Sequence, residues 1–303
     1  MNYRVAQIRY ALFERVAMRV LFALTVYSHV PNSLSQRTIS SPHGLARLID
    51  LRFLLEPSAF AVCRYLLWAA LVLYVLRIAW SIALPYMTLL SIAAGTITNS
   101  EGAIGHSFQI VSLVLGAQTA AHFYDLFQRR RAKANSDNET GEDRVISWSQ
   151  QAIVAAYLAS ALTKLIRTSG MWFFQSPMVA VQIIKTTDQD FYDRLDVAQH
   201  NAGLPIAEWV VAHPIPVALV LGCGLILELT APLALLGRRY ALFYGVGLVV
   251  FHESIQRVMK LNFIYNEYLL WIYLVNIPFW LWVMARWLRS STAQKIPRRN
   301  EMH

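Results

Sequence analysis

The chain is written as apolar runs of bilayer-crossing length separated by short polar joints, and that pattern leaves few folds open to it. Trp148 to Lys164 carries no charge before its last residue, and comparable runs recur along the chain. A helix of roughly 20 apolar residues can cross the hydrocarbon core because it satisfies every backbone polar group internally. Spans are expected at 13–30, 58–77, 80–98, 104–127, 148–167, 214–237, 240–260 and 264–287. The expected fold class is therefore an all-α integral membrane protein: a polytopic bundle of about eight transmembrane helices, one domain over 1–303. Composition agrees, because 56% hydrophobic and only 15% charged residues cannot cover a soluble exterior. Neither an internal repeat nor the strand-length alternation of a membrane barrel is present.

The charges orient such a bundle. Arginines cluster before the first span (Arg4, Arg9, Arg15, Arg19), after the fourth (Arg129 to Lys133), at Arg238-Arg239, and in the tail. The acidic stretch 186–210, with Asp188, Asp190, Asp193, Asp196 and Glu208, falls on the opposite side. The positive-inside rule then predicts cytoplasmic termini, with Arg37, Arg47 and Arg52 of the first exoplasmic loop as a mild exception. Net charge +9 is thereby explained by topology, and nucleic acid is not an expected partner. The polar stretch around Asn135 to Asp143 has no periodicity, so about 128–147 is expected to be a flexible cytoplasmic linker. The exoplasmic loop, about 168–213, carries Trp172-Phe-Phe, Phe191-Tyr192 and apolar Val179 to Ile184, and is expected to lie partly in the interface. Cys63 and Cys223 fall within apolar segments and are expected to be buried, inert thiols.

Against this topology, Lys164, His106 and His252 occupy similar depths near the exoplasmic ends of three different helices. An ionisable side chain at membrane depth is costly, so it marks a site unless it snorkels to the headgroups. Tyr157, Ser160 and Lys164 share one helix face, and His252 and Gln256 stand one turn apart. His106, Gln109, Ser112, Gly116 and Thr119 form a polar stripe that either lines a cavity or bonds to a neighbouring helix; with a lysine and two histidines nearby, the cavity is preferred. Glu228 is a lone carboxylate in an apolar span, expected to be protonated or paired. Asn262, Asn266 and Glu267 cluster at a helix end, where a secondary part is expected of them. A buried lysine without a fixed counter-ion can act as a base, and nearby histidines can relay protons. The spacing of histidines and carboxylates is not that of a metal motif, so no metal is expected.

Tyr157-Leu-Ala-Ser-Ala-Leu-Thr-Lys164-Leu165, followed by Trp172, resembles the Tyr-x-x-Ala-Gly-x-x-Lys-Leu…Trp element of the vitamin K-dependent gamma-carboxylase-like, or HTTM (horizontally transferred transmembrane), family. Glu228…Pro232 with Arg238-Arg239 is similar to that family's Glu…Pro…Arg hairpin, and Phe251-His252 with Asn262-Phe263 to its Phe-His…Asn-Phe stretch. The resemblance implies that Lys164 deprotonates a reduced quinone of the vitamin K or menaquinol type, with His106 and His252 beside it in catalysis. It also implies a substrate-binding set of Asn99, Tyr157, Trp172, Glu228, Gln256 and Asn262. Asn99 and His106 stand further apart than the family's asparagine–histidine pair, and Ser160 or Ala161 stands where glycine is usual. The family's large lumenal domain is expected to be absent. The chain is then expected to be a short bacterial-type member in the inner membrane.

The expected function is an integral-membrane, carboxylase-like enzyme acting on a quinol-type or other lipid-soluble substrate, in the service of peptide or protein modification. Its expected partners are membrane lipid, that lipid-soluble molecule and a peptide substrate. The alternative is a non-catalytic membrane partner in maturation or export of a small secreted peptide, using the acidic loop. Transport would call for inverted repeats or paired broken helices, which the sequence does not display.

Overall fold

A computed structural model describes residues 8–32, 34–101, 108–132, 138–195 and 201–293. All regular structure among them is helical. In chain order the helices are α1 (Leu12–His29), α2 (Pro57–Leu76), α3 (Trp80–Asn99), α4 (Phe108–Ala132), α5 (Asn138–Arg167), α6 (Ser176–Arg194), α7 (Leu204–Ala212), α8 (Pro214–Leu229), α9 (Arg238–Met259), α10 (Ile264–Leu269) and α11 (Ile277–Ala293). Short 3-10 turns at Trp172–Phe174 and Ala231–Leu236 and a π turn at Leu270–Val275 join some of them.

Four of these segments are long and apolar enough to cross a bilayer: Pro57–Leu76, Trp80–Asn99, Gln109–Arg131 and Gly141–Arg167. Two bent pairs raise the number to six if each counts as one span: α7 with α8, bent by 93°, and Ile264–Val275 with Ile277–Arg289, bent by 46°. Both α1 and α9 fall short of that measure. α1 carries Glu14, Arg15 and Arg19, and α9 closes on His252, Glu253, Gln256 and Arg257. Large apolar side chains such as Leu66, Val72, Ile82, Leu89, Leu219 and Ile226 are exposed around the periphery. A soluble monomer does not leave so much apolar surface in water, whereas lipid accepts it. The coarse expectation of a helical membrane protein holds.

Helix boundaries follow local chemistry. Pro57 opens α2, where its missing N–H costs nothing, and Arg77 ends it in the left-handed region at φ 63°. Ala79 is also left-handed at φ 50°, so three residues reverse the chain into α3. One apolar core runs through the bundle, with Phe22, Leu67, Leu84, Val111, Ile153 and Leu248 among its buried members. A smaller cluster of Ala180, Ile183, Ala207, Val210 and Val217 ties α6 to α7 and α8.

Three sequence expectations change. Residues 128–132 belong to α4 and 138–147 to α5, so the linker is not a linker over most of its length. Glu142 and Asp143, each 3% exposed, are buried in ion pairs: Arg15 Nε lies 3.0 Å from Asp143, while Arg19 and Arg77 each approach Glu142 to 3.3 Å. The 168–213 loop is likewise mostly helix, and Ala180 and Ile183 of its apolar stretch pack inward on α7 and α8. Cys223 is exposed on α8 and Cys63 is half-buried, so the pair is not two buried thiols; both are unbridged.

Candidate functional site

Lys164 sits in the last turn of α5, which closes through Gly170: the Gly170 N–H donates to the Leu165 carbonyl (2.8 Å) from φ 81°. Only glycine adopts that conformation without strain, and it turns the chain back over the helix end. The returning 3-10 turn lays the Trp172 ring beneath the lysine, Nζ 5.5 Å from its centroid. From the other side comes Glu228, in the last turn of α8, beyond which Pro232 and a 3-10 turn prevent the helix from continuing. Lys164 Nζ donates to both Glu228 oxygens, at 2.7 and 2.5 Å. The lysine side chain is 23% exposed and the glutamate 4%. The lysine therefore has a fixed counter-ion, contrary to the expectation of a solitary base, and Glu228 ends its helix rather than standing alone mid-span.

One helix face carries this pair to a second. Tyr157, seven residues before Lys164 on α5, places its hydroxyl 2.7 Å from His252 Nε2 on α9. Gly224 allows α9 to approach α8, since any Cβ there would lie 2.3 Å from the Phe251 ring. That approach sets both Glu228, one turn further along α8, and His252, adjacent to Phe251. α9 ends at Lys260 in the left-handed region (φ 51°), and the chain returns Phe263 onto His252 with ring centroids 4.5 Å apart. The Asn266 side chain also meets the Tyr157 hydroxyl. Tyr157 and Lys164 share α5, and the Gly224–Phe251 contact brings Glu228 and His252 together from α8 and α9, so the two pairs form one constellation.

Among the described residues, three buried polar atoms here have no hydrogen-bond partner: His252 Nδ1, Asn266 Oδ1 and Glu267 Oε1. Buried polar groups are rarely left so, because each orphan costs free energy that water or a ligand would recover. A helix-end role was all that was expected of Asn266 and Glu267; the shelter of their side-chain atoms depends on α10 packing against α4, α1 and α9, which no local pattern encodes.

The remaining candidates lie elsewhere or act differently. His106 lies outside the described residues. Asn99 is buried in the last turn of α3, beside Ser100, whose carbonyl and hydroxyl accept the Ser41 and His43 N–H groups. Gln256 is exposed on α9, and Asn262 is exposed with its Oδ1 accepting the Ile264 N–H, a helix-start role. The stripe on α4 faces α3: Ser112 bonds Ser91 at 2.8 Å and Thr119 bonds Thr88 at 2.9 Å. It is an interhelical seam in place of the expected cavity lining. Among the described residues, no three of His, Cys, Asp and Glu stand together as a metal set. Comparison with protein-family models, with curated proteins and with solved structures finds no match to this chain.

Proposed function

We propose that the chain is an integral-membrane enzyme that removes a proton from a lipid-soluble hydroxyl compound of the quinol type, using Lys164 and Glu228 as a dyad. The observation that carries this reading is the hydrogen-bonded pair at the edge of a constellation holding three partnerless buried polar atoms. The dyad takes one proton in a balanced step. The substrate O–H gives its proton to the Glu228 carboxylate, directly or through the lysine amine, and the Lys164 ammonium then faces the new oxyanion. A cation held against a developing negative charge in a site sheltered from water is worth more than in solution. Trp172 and Phe263 offer flat apolar faces to an aromatic ring, and His252 Nδ1, Asn266 Oδ1 and Glu267 Oε1 offer polar contacts to its oxygens.

The resemblance of 157–172 to the gamma-carboxylase-like family supports the same lysine. In this reading α1 and α9 join the six apolar segments to make eight spans, the termini are cytoplasmic, and the site opens toward the exoplasmic side of a bacterial inner membrane. Modification of a peptide is the proposed purpose.

Lipid extraction of the purified protein tests the proposal. Wild-type protein should retain menaquinone or ubiquinone, and Lys164→Ala should lose it while remaining a folded, monodisperse bundle. A quinone-free wild type, or equal retention by the variant, would overturn it.

A further inference from the structure

Three side chains beside the dyad stand in a line along which the hydrogen atoms can be placed. Tyr157 Oη on α5 lies 2.7 Å from His252 Nε2 on α9, and the Asn266 side chain of α10 meets the same hydroxyl. Asn266 Oδ1 is buried and has no hydrogen-bond partner among the described residues, so the amide meets Tyr157 through Nδ2. An amide nitrogen donates and does not accept. Tyr157 Oη therefore accepts from Asn266, and its single proton points to His252 Nε2. A ring nitrogen that accepts carries no hydrogen, so the neutral imidazole holds its proton on Nδ1. The reverse direction, with an Nε2 hydrogen donating to Tyr157, would leave the phenol hydrogen without an acceptor among the described residues. Tyr157 is 4% exposed, and a buried donor left unpaired is costly. His252 Nδ1 is itself buried and without a hydrogen-bond partner among the described residues, on a ring that Phe263 covers.

We propose that Asn266 is a positioning residue: through the Tyr157 hydroxyl it fixes His252 as the neutral tautomer protonated on Nδ1, so that the ring donates a hydrogen bond to a ligand oxygen and takes no proton from it. This is a different part from the proton relay that the sequence suggested for the histidine. With Nε2 occupied by Tyr157 and Nδ1 protonated, the ring has no lone pair free to act as a base. The tautomer follows from the three side chains alone; the ligand rests on the deprotonation proposed at Lys164 and Glu228. In that reaction a donor set in place beforehand favours the product, because a hydrogen bond to an oxygen strengthens as negative charge gathers on it. The proton of the substrate hydroxyl then has one destination, the dyad, and His252 serves the oxygen that remains.

The test is nitrogen NMR of the full-length protein in detergent at neutral pH, with its histidines isotopically labelled, because the two neutral tautomers and the imidazolium give different ring-nitrogen shifts. Among the eight histidines, the His252 signals are those missing from His252→Gln. Wild-type His252 should be protonated on Nδ1. In Asn266→Leu, which keeps a similar volume without the donor, the preference for Nδ1 should fall about fivefold, as for the loss of one ordinary hydrogen bond. Tyr157→Phe should lower it too, since Nε2 then has no donor. An asparagine that served stability alone would leave the tautomer unchanged. Protonation of wild-type His252 on Nε2 or on both nitrogens, or an unchanged preference in either variant, would overturn the proposal. Quinone content is read separately, so a quinone-free wild type would overturn the deprotonation and leave the expected tautomer as it is.

Discussion

Lys164 Nζ lies 2.5 Å from Glu228 Oε2, joining the last turn of α5 to the last turn of α8 across 64 residues of sequence. Among the described residues, a carboxylate only 4% exposed has this one cation as its ion-pair partner, and the cation keeps enough exposure to meet a substrate. Removing one partner of a buried pair is worse than removing both, because the remaining charge has lost its compensation.

Lys164→Met should therefore destabilise the bundle by roughly 3 kcal/mol, and Lys164→Met/Glu228→Leu should recover most of that loss. Thermal unfolding in detergent measures both. If the double variant is as unstable as the sum of the singles, the two groups are not energetically coupled.

Glu142 offers a second contrast. As part of a solvated linker it would tolerate any polar substitution. As the buried ion-pair partner of Arg15, Arg19 and Arg77 it should not. Glu142→Gln should cost roughly 3 kcal/mol, and the loss should persist in 0.5 M salt, since buried pairs are poorly screened. Denaturant unfolding at two salt concentrations distinguishes the cases.

At Gly224 the expected change is steric. An alanine Cβ would stand 2.3 Å from the Phe251 ring, so the ring must turn aside or α8 and α9 must part. Gly224→Ala should destabilise by about 1–3 kcal/mol, the range for overpacking, and Phe251→Leu should partly rescue it. Unfolding of the single and double variants is the measurement, and rescue is the decisive outcome.

The α3–α4 seam separates glue from site. Thr119→Val and Ser112→Ala each remove one interhelical hydrogen bond and should cost about 1 kcal/mol. Quinone retention by the purified variants should match wild type. A selective loss of retention at normal stability would restore the stripe to the site.

Tyr157→Phe removes the link between α5 and His252 without changing the ring's volume. Deleting the hydroxyl strands His252 Nε2, a loss of about 1–3 kcal/mol. The protein should still purify as a bundle, with bound quinone reduced. Full retention would mean that the tyrosine serves stability alone.

The apolar helices of bilayer-crossing length between Pro57 and Arg167, and the face shared by Tyr157 and Lys164, were legible in the order of residues alone; α6, α7 and the polar start of α5 were not. Apolar length is a local property, and so is the face shared by residues seven apart on one helix. What the order of residues left open was which charge meets which. Arg15 and Asp143 are 128 positions apart and Tyr157 and His252 are 95 apart, so no spacing rule relates them. The stretch 138–147 looked solvated because its residues are polar and aperiodic. It is helical, and its Glu142 and Asp143 are buried because arginines from α1 and from the α2–α3 turn come to meet them. Burial of a charge is decided by what three-dimensional packing places around it, and that information is held by the partners, not by the segment itself.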